Sequence, residues 1–163
     1  MDLNIQYFPN LITDEGYNVT SPQTRDYNCI SWARGLDDCW SWPPLGCDME
    51  EDQYWPTLLP DDTKIETFIQ FFEHEGFVLC ESDDKDDAMI CLYEKDGSCT
   101  HAARKLPNGL WTSKLGPLND IQHSLPHSLE GDIYGKVYCY MRKNSRHTDA
   151  DTSTPLPTAC ATR

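Results

Sequence analysis

An α+β domain, with helices first and one antiparallel β-sheet after them, is what this chain predicts, and three observations carry the prediction. From Asp62, "DTKIETFIQFFEHEG" places Ile65, Phe68, Ile69 and Phe72 at i, i+3, i+4 and i+7 between a polar start and Gly76. That spacing makes one apolar helical face with a stop behind it. Next, "FVLCE", "AMICLYE", "CTHAARKL" and "LWTSKL" are short β-prone runs separated by an acidic loop, by "KDGS" and by "PNG". Such runs read as an antiparallel meander. Finally, 163 residues, 39% hydrophobic and 11% aromatic, suffice for one self-supporting core.

The elements follow in order. The start, "MDLNIQYFPNLITDEG", lacks the basic head and apolar centre of a signal peptide, and no run of about 18 apolar residues follows. A cytoplasmic protein that does not enter the membrane is expected. In "DYNCISWARG", Asp26 and Asn28 can accept hydrogen bonds from a helix's first N–H groups, and Ile30, Ala33 and Gly35 give about two turns and a stop. The stretch "CWSWPPLGCDMEEDQYWP" is a Pro- and Trp-rich loop. Its Trp40, Trp42 and Trp55 can cover a pocket and contact substrate, or they can pack the loop onto its own domain. A last strand, "YGKVYCYMRK", closes a single domain over residues 1–143, and the polar, Pro/Thr-rich segment 144–163 is expected to be a disordered tail.

Eight cysteines in a chain of this size need not form a disulfide framework, so all eight are expected as thiols. Cys80, Cys91, Cys99 and His101 fall within 22 residues, but no C-x-x-C knuckle is present. Neither a metal site nor a cofactor is expected.

Cys29 stands out because a helix N-terminus favours thiolate over thiol and would lower its pKa. Its plainer reading is a core cysteine. Thiol catalysis needs a base within reach of the sulfur and a third group to orient that base. His101 opens a strand directly after the "DGSC" turn and is the candidate base. His74 sits at the polar end of a helix, His147 is in the tail, and His123 and His127 lie on a loop. For the orienter, Asp120 is preferred as a carboxylate over Ser113 and its neighbour Lys114, which are kept as candidate substrate contacts.

The order of these parts resembles the papain-like thiol enzymes, including the NlpC-type cell-wall peptidases: a cysteine at the start of an N-terminal helix, a histidine on a sheet strand, then a polar orienter. The resemblance covers about Gln23 to Lys143 and implies a papain-like fold. Gln23 stands six residues before Cys29, where that superfamily places an oxyanion-hole glutamine. A donor aimed at the developing oxyanion lowers the barrier by a few kcal/mol. The residues flanking the cysteine, "YNCISWARG", depart from the papain pattern, which speaks against ordinary proteolysis. The blocks "YNCISWARG", "YWP", "THAARKLPNGLWTSKLG", "DIQH" and "LEGDIYGKVYCYMRK" look like a family of small intracellular proteins with this block order, and that family in turn resembles the fungal arginine-containing cyclodipeptide synthases. That resemblance implies a small enzyme that takes arginine and a second amino acid from aminoacyl-tRNA and closes a diketopiperazine.

The charge is split along the chain. Residues 1–100 carry 5 Lys/Arg against 22 Asp/Glu, a net of −17, and residues 101–146 carry 7 against 3, a net of +4. An acidic half can hold a guanidinium, and Arg104, Lys105, Lys114, Lys136, Arg142 and Lys143 can face tRNA phosphates. Taken alone, the run "ESDDKDD" reads as a solvated acidic surface. Three functions are therefore carried forward. In the first, Cys29 receives an aminoacyl group from aminoacyl-tRNA as a thioester and passes it to the amine of a small amino-acid-derived substrate. In the second, the same pair is a peptidase, amidase or deamidase. In the third, the chain is an acidic, Trp-rich interaction module with no catalysis.

Overall fold

The computed structural model describes residues 2–144, so the tail expected from residue 144 lies, beyond Asn144, outside them. The amphipathic segment forms α3, Ile65–His74, which buries Ile65, Phe68, Phe71 and Phe72. Each of these three phenylalanines is 0% exposed, a burial that stabilises by roughly 1.5–3 kcal/mol per side chain. Gly76 follows with φ +97°, a left-handed turn suited to glycine. The Cys29 segment forms α2, Cys29–Ala33, in which the Asn28 side chain accepts from the Ser31 N–H. Of the two expected capping residues, Asn28 does the capping. A further helix, α1, Leu3–Tyr7, precedes a 3₁₀ turn at Pro9–Thr13.

The strands are β1 (Asn18–Val19), β2 (Trp40–Ser41), β3 (Gln53–Tyr54), β4 (Phe77–Leu79), β5 (Ile90–Lys95), β6 (Ser98–Lys105), β7 (Trp111–Lys114), β8 (Asp120–His123) and β9 (Lys136–Lys143). β2 and β3 form a small parallel pair within the Trp-rich loop. The other seven make one antiparallel sheet in the order β1-β8-β7-β6-β5-β9-β4. The molecule is α+β, as the sequence predicts, but the meander is only partial. β5 to β8 run as neighbours, whereas β9 inserts between β4 and β5. β8 was expected to be loop. Its "DIQH" carries one aliphatic side chain, too little for a strand signal by itself, and its pairing to β7 and β1 makes it a strand.

Strand residues alternate between faces, so the sheet carries a core on each side. On one side Ile90, Leu92, Ala102 and Met141 pack with Ile30 and Ala33 of α2 and Phe68, Phe71 and Phe72 of α3. On the other, Cys91, Tyr93, Ala103, Trp111 and Ile121 pack with Phe8, Leu11, Leu129 and Tyr134. A register shift leaves Thr100 unpaired between the Tyr93–His101 and Glu94–Cys99 pairs. Its hydroxyl donates to the Tyr134 carbonyl instead, at 2.5 Å. Among the described residues, no helix is long and apolar enough to cross a membrane.

Candidate active site

His101 sits on β6 with its ring stacked on Tyr134, at 4.2 Å between centroids and 8° between planes, and edge-on to Tyr93. Both tyrosines belong to the second core, so the ring lies on the sheet face away from α3. His101 Nε2 is 2.9 Å from Ser113 Oγ on β7, and that oxygen is 2.8 Å from His123 Nε2 on β8. His123 Nδ1 is 2.9 Å from the Leu125 carbonyl. A carbonyl oxygen only accepts, so Nδ1 of His123 carries the hydrogen. Its neutral Nε2 then accepts the Ser113 hydroxyl proton, and Ser113 Oγ accepts from the Nε2–H of His101. His101 is left with its lone pair on Nδ1, which is buried and has no hydrogen-bond partner. Burial first, and then the neighbouring His123, holds His101 well below the usual histidine range. Burial likewise lowers His123. Both rings are neutral near pH 7.

The expected orienter is corrected by this geometry. Asp120 accepts from Tyr27 Oη at 2.5 Å, while Ser113 occupies the His101 ring nitrogen. The reason lies in strand alternation: Ser113 and His101 share one face, and Asp120, paired with Lys114, shares the other with α2. The second oxygen of Asp120 is buried without a partner.

Cys29 heads α2, which packs against β6 and β7, and it is 7% exposed. Its sulfur meets the backbone N–H of Ala102, the residue after His101, and no hydrogen bond joins it to the His101 ring. A charge on the sulfur would also be felt by Tyr134, the ring stacked on His101. The expected lowering of its pKa is overturned. Burial pushes the thiol up to about 11, outweighing the backbone N–H groups of Ala102, Ile30 and Cys29 and the Lys114 charge. The helix has five residues and brings too little dipole to offset full desolvation.

The other sequence candidates are dispersed. Gln23 is exposed on the segment leading to α2. Trp55 is buried and stacks on Phe71 at 5.0 Å, Trp42 packs on Phe68, and the Trp40 indole donates to the Arg25 carbonyl. Trp42 and Trp55 thus pack the loop onto its own domain, the second of the two readings. Lys114 is fully buried and donates to the Thr24 and Leu118 carbonyls. Arg104 donates to the Trp32 carbonyl, Arg142 pairs with Asp84 at 2.6 Å, and Lys143 lies over Phe77. Of the six cations expected to face phosphate, these four are engaged within the domain. His74 and His127 are exposed, and His127 bonds Glu130. His147 lies outside the described residues. Cys39 is disulfide-bonded, against the expectation of eight thiols, while Cys29, Cys47, Cys80, Cys91, Cys99 and Cys139 are free. Among the described residues, no three His, Cys, Asp or Glu are grouped to hold a metal ion. A groove of about 590 Å³ lined by Lys85, Trp111, His127 and Tyr140 involves none of Cys29, His101, Ser113 or His123.

His123, ranked below His101 as a loop histidine, is the residue the structure adds to the cluster. Its signal was present, since "WTSKL" and "DIQH" flank the turn "GPLN" and would pair Trp111 with His123 as a hairpin. Reading "DIQH" as loop hid it.

With that site described, the chain can be placed by comparison. It belongs to the family described as a domain of unknown function, DUF7689, which matches residues 18–142. The match contains α2, the whole His101–Ser113–His123 chain and most of the sheet. No curated protein and no solved structure matches.

Proposed function

We propose that the protein is a Cys–His acyl-transfer enzyme with Cys29 as nucleophile and His101 as base. One observation carries the reading: the His101 Nδ1 lone pair is buried and unpartnered, with its ring held by Ser113. His101 and α2 lie on opposite faces of the sheet, so the reading requires a rearrangement on substrate binding that brings the Cys29 sulfur to Nδ1. A buried polar atom left unpaired costs roughly 1–3 kcal/mol, a cost a proton-accepting role accounts for. Thiol and imidazole are both neutral at rest, so the nucleophile forms during attack rather than standing as a thiolate. Once that contact is made, Sγ bonds to the acyl carbon as its proton passes to Nδ1. The leaving oxygen takes that proton when the C–O bond breaks, and a thioester remains. The amine of a second aminoacyl-tRNA then displaces the sulfur, which regains a proton as the amine loses one, and the free α-amine of the first residue closes the ring by displacing the second tRNA oxygen, which leaves protonated. Gln23 is our choice as donor to the oxyanion.

The burial of the parts favours an amine over water as acceptor. Cys29 is 7% exposed, and His101 and Ser113 are 0% exposed, and a closed site protects a thioester from hydrolysis. For substrate we propose aminoacyl-tRNA with arginine as one of the amino acids, giving a cyclic dipeptide in the cytoplasm. The resemblance of the sequence blocks and the charge split support that choice. The test combines the protein with arginine, a panel of second amino acids, tRNA, the matching synthetases and ATP. A cyclic dipeptide should form, and Cys29→Ala or ribonuclease should abolish it. Product without tRNA overturns the donor. Cleavage of simple amides or esters that depends on Cys29, without condensation, replaces the reading with a hydrolase.

A further inference from the structure

We infer that His123 is a positioning residue that sets the tautomer of His101 through Ser113. The path is three hydrogen bonds long and crosses three adjacent strands. The Leu125 carbonyl is the fixed end, because it can only accept, and it lies two residues beyond His123. From there each donor has one available acceptor: His123 Nδ1–H to Leu125, Ser113 Oγ–H to His123 Nε2, and His101 Nε2–H to Ser113 Oγ. The far end is the free Nδ1 of His101. Ser113 alone cannot impose this order, since a hydroxyl both donates and accepts and its hydrogen rotates. Were that hydrogen turned toward His101, Nε2 would have to accept and Nδ1 would carry the proton. His101 would then be a donor where a base is needed. Withdrawing the hydroxyl hydrogen toward His123 is therefore the step that makes His101 basic at Nδ1.

The packing keeps the arrangement in place. His101, Ser113 and His123 are each 0% exposed, so no bulk water competes for the three links. The Tyr134 ring fixes the plane of His101, and Tyr134 is held by the Thr100 hydroxyl. The tautomer order follows from the bonds alone, and only its use as a base rests on the acyl-transfer reading.

Long-range proton–nitrogen NMR correlations on the ¹⁵N-labelled full chain read the tautomer directly, with His101 assigned by its loss in His101→Gln. The wild-type protein near neutral pH should show His101 as a single form, with Nε2 protonated and Nδ1 bare. His123→Ala frees the Ser113 hydrogen and should replace that single pattern with a mixture or with the Nδ1–H form. His123→Gln keeps an acceptor in place for Ser113 and should restore the wild-type pattern. Cys29→Ala should leave the pattern unchanged. A wild-type His101 carrying its proton on Nδ1 overturns the inference. So does a folded His123→Ala protein with an unchanged His101, or a pattern that moves with Cys29→Ala. If His123→Ala does not fold, the wild-type and His123→Gln spectra decide. Failure of the acyl-transfer reading would show separately, as an inert Cys29 beside an intact tautomer pattern.

Discussion

At Cys29 two effects oppose one another, and their sizes decide the outcome. A short helix N-terminus favours the thiolate by about 0.3–1 kcal/mol, while complete burial shifts an ionisable group by several pKa units. Burial wins, and the thiol rises to about 11. Limiting iodoacetamide near neutral pH should therefore label the exposed Cys47 before Cys29, and mass-spectrometric mapping of the adducts reads the order. Preferential labelling of Cys29 would mean that its thiolate is stabilised beyond what its surroundings provide. Ser113 gives a second comparison at this scale. Ser113→Ala strips the hydroxyl that links two buried imidazoles and should cost roughly 1–3 kcal/mol in urea unfolding. In a condensation assay it should lower turnover by about 10²-fold. Asp120→Asn still accepts from Tyr27 and should change turnover little.

At the scale of elements, the loop from the Pro126–Leu129 turn to β9 brings Tyr134 onto His101. It turns through a bridge between Gly131 and Gly135. Gly135 has φ +73°, and a Cβ there would collide with the Glu94 carbonyl oxygen on β5. Gly109 shares the left-handed conformation, at φ +87°, but has open space around it. Gly109→Ala should pay only backbone strain, of about 1 kcal/mol. Gly135→Ala adds a clash with backbone and should lose roughly 1–3 kcal/mol beyond that. Parallel thermal melts of the two variants check the difference. Near-ultraviolet circular dichroism should also change for Gly135→Ala, because Tyr134 loses its seat on the His101 ring.

For the whole molecule, two neutral histidines inside one core tie stability to pH. His101 and His123 are both held below the ordinary value of 6.5. As pH falls past that value the unfolded chain binds protons before the folded one does. The stabilisation is thus complete above about 6.5 and is lost as pH falls through the folded-state values. Urea unfolding at about pH 5.5 should show a lower midpoint than at about pH 7.5, with an unchanged slope. His101→Gln should show a smaller drop. Asp14 does not contribute in this window: burial works to raise it, but hydrogen bonds from Ser128, Ser124 and Leu125 prevail and bring it to about 2. An equal midpoint at both pH values would mean that neither ring is held neutral.

The sequence by itself determined what depends on neighbours a few residues apart. The period of Ile65, Phe68 and Phe72 wrote α3, Asn28 beside Cys29 wrote the start of α2, and the "DGSC" segment announced the strand β6, although that strand begins at Ser98 and carries His101 as its fourth residue rather than its first. That His101 lies on a strand was also legible, because it falls in a strong β-prone run after a tight turn. Tertiary structure decided what depends on residues far apart. Which face each strand turned inward chose Ser113 over Asp120. Pairing "DIQH" to β7 turned an apparent loop histidine into the end of a proton-ordering chain. The depth of Cys29 under β6 and β7 made it a neutral thiol. Side-chain identity and spacing are local and are carried along the chain, whereas burial and strand partnership arise only when distant segments exclude water from one another.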